Sequence, residues 1–146
     1  MSDNINWARV FGGGLVAGLI INIGEFILNE PILGADFAAA MEGMNKEAPG
    51  SGAIMVFVML SFAIGILSVW LYAAIRPRFG AGMKTATCAG LTVWGLAWLY
   101  PMIGYAAMDF FPFKILLIAS VWGMVEVTLA TIAGAWLYQE PDQPAS

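Results

Sequence analysis

Apolar residues in this chain neither alternate nor keep to one helical face. They run on in long blocks separated by short polar or proline-marked intervals. Four blocks cover about 7–29, 53–76, 84–108 and 113–138. Each is about 35 Å long as a helix, enough to cross a hydrocarbon core of about 30 Å with some tilt. The blocks lack period-2 alternation and exceed the length of barrel strands. The pattern predicts an all-α fold, an integral membrane four-helix bundle forming one domain over 1–146.

Proline marks the expected edges: Pro31 after the first block, Pro77 after the second, Phe111-Pro112-Phe113 between the third and fourth, and Pro141 and Pro144 in the tail. Gly80 and Gly82 loosen the second link. The one long connection, 30–52, has helical spacing over 36–48: Phe37, Met41 and Met44 share a face, and Glu42, Asn45 and Lys46 point away. Asp36 is placed to cap it. The expectation is a short interfacial helix on the outer membrane surface; a packed loop with no membrane role is the alternative. Residues 139–146 read as a disordered acidic end, and no internal repeat is visible.

Composition agrees with lipid as solvent. The 146 residues are 60% apolar and 11% charged, with a mean hydropathy of +0.80. Soluble domains are about 45–50% apolar and about 25% charged, and a chain this short has too little interior to hide the excess. The absence of histidine excludes bis-histidine haem, ordinary zinc sites and a histidine base. Cys88 stands alone, which excludes an internal disulfide and Cys-x-x-Cys redox chemistry; it reads as a small packing residue. A net charge of −4 argues against nucleic acid as a partner. No metal or cofactor is expected.

The first block is longer than a signal-peptide core, its front carries Asp3 and Arg9, and Glu25, Glu30 and Asp36 precede the small-residue run Ala38-Ala39-Ala40. An uncleaved first span is expected. With four spans, Arg9, Arg76, Arg78 and Lys84 share one side, and Lys46 and Lys114 the other. That bias puts both termini in the cytoplasm. Trp7, Trp70, Tyr72, Trp136 and Tyr138 fall at the same ends, as interfacial rings would; Phe110, Phe111 and Phe113 mark the outer edge. Small-xxx-small pairs occur at Gly14/Gly18, Ala119/Gly123 and Ala130/Gly134. They can pack the bundle internally or join protomers, so the lipid bilayer is the expected partner, with a homo-oligomer or larger complex left open.

Polar residues inside the spans are the candidate chemistry. Glu126 lies near mid-span, roughly 20 Å from the outer edge, with no lysine or arginine at that depth. A bare carboxylate there is costly, so it is expected to be protonated, hydrogen-bonded or facing water. Trp122, one turn earlier, and Trp94, at similar depth, are the expected indole donors. Glu25 lies about a turn inside the outer edge and shares a face with Asn22 and Asn29. Opposite it, Trp94, Trp98, Tyr105 and Asp109 form a stripe on the third span, with Pro101 freeing a backbone carbonyl between them. Together these would line an outward-opening cleft narrowing toward Glu126. A structural network tying helix ends together is the alternative, with Asp109 closing its helix beside Lys114. Ser61, Ser68, Thr92, Thr128 and Thr131 are expected to bond their own helices.

Four segments carry a resemblance: Ile5-Asn6-Trp7, Asn22-Ile23-Gly24-Glu25-Phe26, the loop from Tyr72 to Gly80, and Ala133-Gly134-Ala135-Trp136-Leu137-Tyr138. By these the chain resembles small four-span bacterial inner-membrane proteins of unknown function. In size and span number it is also similar to small multidrug transporters. Those place a glutamate in the middle of the first helix, whereas Glu25 lies late in its helix. The leading expectation is a non-enzymatic accessory or scaffold protein of the inner membrane. The alternative is a small proton-coupled transporter or apolar-ligand carrier using Glu126 and Glu25. An enzyme is disfavoured because two carboxyls at different depths suggest no specific reaction.

Overall fold

The structure is a computed structural model and describes residues 5–138; the expected acidic tail lies outside them. Among these residues every regular element is helical, and four segments are long and apolar enough to span a membrane: Trp7–Ile32, Ser51–Phe79, Met83–Ala107 and Phe113–Leu137. The first is helix α1 (Trp7–Ile27) continued by a π-turn, Leu28–Ile32. A short helix, α2 (Gly34–Gly43), follows in the long loop. The second span is α3 (Ser51–Phe79). The third is α4 (Met83–Trp94), a second π-turn (Gly95–Leu99) and α5 (Tyr100–Ala107). The fourth is α6 (Phe113–Leu137).

Helix α1 packs against α3 and α6, and α4 packs against α6 and α3, which closes a four-membered ring. Small residues set the close approaches. A Cβ on Gly13 would strike the Gly134 carbonyl, and one on Gly65 would strike the backbone at Gly14 and Gly18. The small-residue pairs therefore serve the interior of the bundle. The outward faces carry exposed Leu15, Leu19, Ile23, Leu60, Leu117, Val121 and Leu129, a surface suited to lipid contact rather than water.

Several edges differ from expectation. Pro31 does not stop its helix; the wider π-turn, closed by Leu33 N–H donating to the Leu28 carbonyl at 2.8 Å, takes up the proline without the usual clash. Helix α3 also runs through Pro77 and ends at Gly80, whose φ of 86° turns the chain while its N–H bonds the Arg76 carbonyl. The loop helix covers Gly34–Gly43 rather than 36–48, and Asp36 sits in its first turn without capping it. Tyr72 and Tyr138 turn inward rather than outward. Both are buried, edge to face at 6.0 Å, and their hydroxyls accept from the N–H groups of Gly82 and Asn6. Trp7 and Trp136 are exposed as the belt requires. Cys88 is exposed rather than packed.

Candidate functional site

The two acids come near each other. Counting helical rise from the loop end of the bundle, the Glu25 backbone lies about 10 Å deep (from Ile32) and the Glu126 backbone about 20 Å deep (from Phe113). Helical side chains lean toward their own N-terminus. For α1 that lean carries Glu25 deeper; for α6, which runs the other way, it carries Glu126 toward the loop end. The Glu126 carboxyl ends against Gly24, where any Cβ would strike it, and it interacts electrostatically with Glu25. The expectation of two unrelated depths is corrected by this lean and by the missing Cβ at Gly24.

Each carboxyl has one bonded and one orphaned oxygen. Trp122 Nε1 donates to Glu126 Oε2 at 2.6 Å, and Asn29 Nδ2 donates to Glu25 Oε2 at 2.9 Å. Glu126 Oε1 and Glu25 Oε1 are buried with no hydrogen-bond partner. Glu126 is 6% exposed. Lysine and arginine occur only at 9, 46, 76, 78, 84 and 114, none at this depth. Trp98 on the third span reaches Glu25 and lies against Gly123 of α6. Both π-turns among the described residues border this region: one holds Asn29 and Pro31, the other holds Trp98 and precedes Pro101. Sequence reasoning did not find these turns, although Pro31 and Pro101 were their signal. Such interruptions are frequent at functional sites.

The remaining expected site residues separate. Trp94 donates to the Ser120 carbonyl at 2.9 Å and is not a partner of Glu126. Asn22 donates to the carbonyls of Gly18 and Val58 at 2.9 and 3.4 Å, tying α1 to α3. Tyr105 packs its ring on Phe110 and Phe111. Asp109 is exposed in a left-handed turn (φ 51°) after α5, and Lys114 pairs with Asp36 at 3.1 Å instead. Ser61, Ser68, Thr92 and Thr131 bond their own helices as expected, while the Thr128 hydroxyl is buried without a partner.

The expected open cleft is filled. Above the carboxyls, Leu28, Leu33, Ile115 and Ala119 form a compact apolar cluster, with Phe37, Met102 and Trp122 packed against it. Two apolar hollows indent the bundle elsewhere, one beside Ile64, Leu67 and Leu96 and one beside Met55, Met59 and Leu60. Neither is lined by a carboxyl. The arrangement joins two neighbouring acids, indole and amide donors and an apolar plug, all inside a membrane-spanning bundle. Comparison with protein-family models, with curated proteins and with solved structures finds no match for this chain.

Proposed function

We propose that this chain is a non-enzymatic protein of a bacterial inner membrane, with both termini in the cytoplasm, and that it acts as a small proton-coupled carrier. One observation carries the reading: a buried carboxyl at Glu126 and a half-buried one at Glu25 lie near each other, each with an orphaned oxygen, and no cation stands at their depth. Two bare carboxylates in that setting repel and lose their hydration. Protonation of one acid removes one charge and makes that carboxyl a hydrogen-bond donor. Intramembrane acids of this kind suit exchange of a proton for a ligand. The orientation rests on the Arg76, Arg78 and Lys84 cluster between the second and third spans.

A compound panel applied to proteoliposomes under an imposed proton gradient, read as internal pH, tests the reading. Compounds that collapse the gradient with the wild type and not with Glu126→Gln support it. Identical responses from both proteins across the panel count against it and favour a second reading, an accessory subunit of a homo-oligomer or larger complex. That reading is supported by the first turns of α3, where Ile54, Met55, Val56, Phe57, Met59 and Leu60 are all exposed.

A further inference from the structure

We propose that helix α2 is the gate through which the Glu25–Glu126 pair is reached from the loop end of the bundle. The inference rests on the carboxyl-pair reading above and adds its regulation. Three observations place the helix there. Phe37 packs onto the cluster of Leu28, Leu33, Ile115 and Ala119, against which Trp122 also packs. Trp122 in turn donates to Glu126. The apolar plug thus has the helix on one side and the acid on the other.

The tethers of α2 suit movement and register. Its entry is the π-turn that carries Asn29, the amide bonded to Glu25. The turn runs straight into α2 through Leu33, whose N–H donates to the Leu28 carbonyl and whose carbonyl accepts from Phe37, so displacement of α2 is passed to the Glu25 donor. Its exit is Asn45, at φ 53°, followed by a stretch without regular structure up to Ser51.

What holds α2 down is modest. Asp36 and Lys114 form an ion pair at 3.1 Å with both side chains well exposed. Phe37 meets Phe111 edge to face at 5.8 Å. An exposed ion pair shifts an equilibrium only a few-fold, which fits a latch that must open. No residue within α2 is fully buried, while its N-cap Leu33 is anchored in the plug, so the helix can pivot about that end without opening the main core.

The test reads access chemically, with the full chain in lipid nanodiscs and Cys88→Ala as background. A water-soluble carbodiimide labels the acids through the aqueous route, and a lipid-soluble carbodiimide labels protonated acids through the bilayer. Mass spectrometry of the peptides gives both rates. Asp36→Ala should speed aqueous labelling of Glu126 about two- to fivefold, and Phe37→Ala by more than about tenfold. Asp36→Cys with Lys114→Cys, bridged by a short thiol-reversible crosslinker, should stop aqueous labelling until reductant is added. The lipid-soluble reagent should label Glu126 at the wild-type rate in every variant. Aqueous labelling unaffected by the bridge, with lipid-soluble labelling retained, would overturn the gate and leave the carboxyl-pair reading standing. Loss of lipid-soluble labelling in the wild type itself would overturn the pair as a proton site, and the gate with it.

Discussion

Replacing Glu126 separates its hydrogen bond from its charge. Trp122 Nε1 donates to Glu126 Oε2 at 2.6 Å, and the acid is almost wholly buried. In Glu126→Gln the amide oxygen still accepts from the indole, so folding stability should stay within about 1 kcal/mol of the wild type. In Glu126→Leu the indole N–H loses its acceptor in an apolar setting, at about 1–3 kcal/mol. Trp122→Phe strands the acid by a similar amount. Removing both partners should cost less than the two single changes added together, because replacing a buried donor and acceptor by apolar groups leaves nothing unpaired. The coupling between the two sites should therefore be about 1–3 kcal/mol and favourable. Reversible unfolding in bicelles, followed by Trp fluorescence where the indoles allow and by helical circular dichroism throughout, gives all four stabilities. Equal stability of the Gln and Leu variants, with additive single changes, would refute the bond as the structural role of Glu126.

Gly24→Ala should destabilise the bundle by about 1–3 kcal/mol and push the two acids apart, because the new methyl occupies the place of the Glu126 carboxyl; the same unfolding assay checks it. Gly65→Ala should cost as much or more, since its Cβ would meet backbone at Gly14 and Gly18 rather than a side chain that can rotate away. Spin labels along α2 should report buried positions near Phe37, Ala40 and Met41 and water at Glu42 and Gly43, with a period near 3.6 residues; uniform exposure would contradict its docking. A reporter fused after Ser146 should show cytoplasmic activity, and periplasmic activity from an intact fusion would reverse the orientation.

The spans were legible because lipid demands long apolar runs, and run length survives any detail of packing. The Trp122–Glu126 bond was legible for a local reason: residues four apart share a helix face. The approach of Glu25 to Glu126 was not, because it depends on opposite side-chain lean and on an absent Cβ at Gly24, neither of which a depth count includes. The third span shows why the expected stripe broke up. A π-turn adds one residue to a turn, which rotates everything beyond Leu99 by about 100° relative to a regular helix. Trp98 therefore stays near Glu25, while Tyr105 and Asp109 turn away to the aromatic cap and the loop. Trp94 matched Glu126 in depth but not in rotation, and its indole found the Ser120 carbonyl. The pairing of Lys114 with Asp36 rather than Asp109 follows from the docking of α2, a tertiary event that sequence spacing does not encode.

On the proposed function, the two neighbouring carboxyls hold a proton inside the membrane. Infrared difference spectroscopy of the full chain in lipid, across neutral pH, measures it directly, with Glu25→Gln and Glu126→Gln used to assign bands. A protonated-carboxyl C=O band is expected at neutral pH and should disappear in Glu126→Gln, together with a change in the Glu25 signal as the proton loses one of its two acids. Ionised carboxylate bands from both residues at neutral pH, with no protonated band lost in either variant, would contradict it.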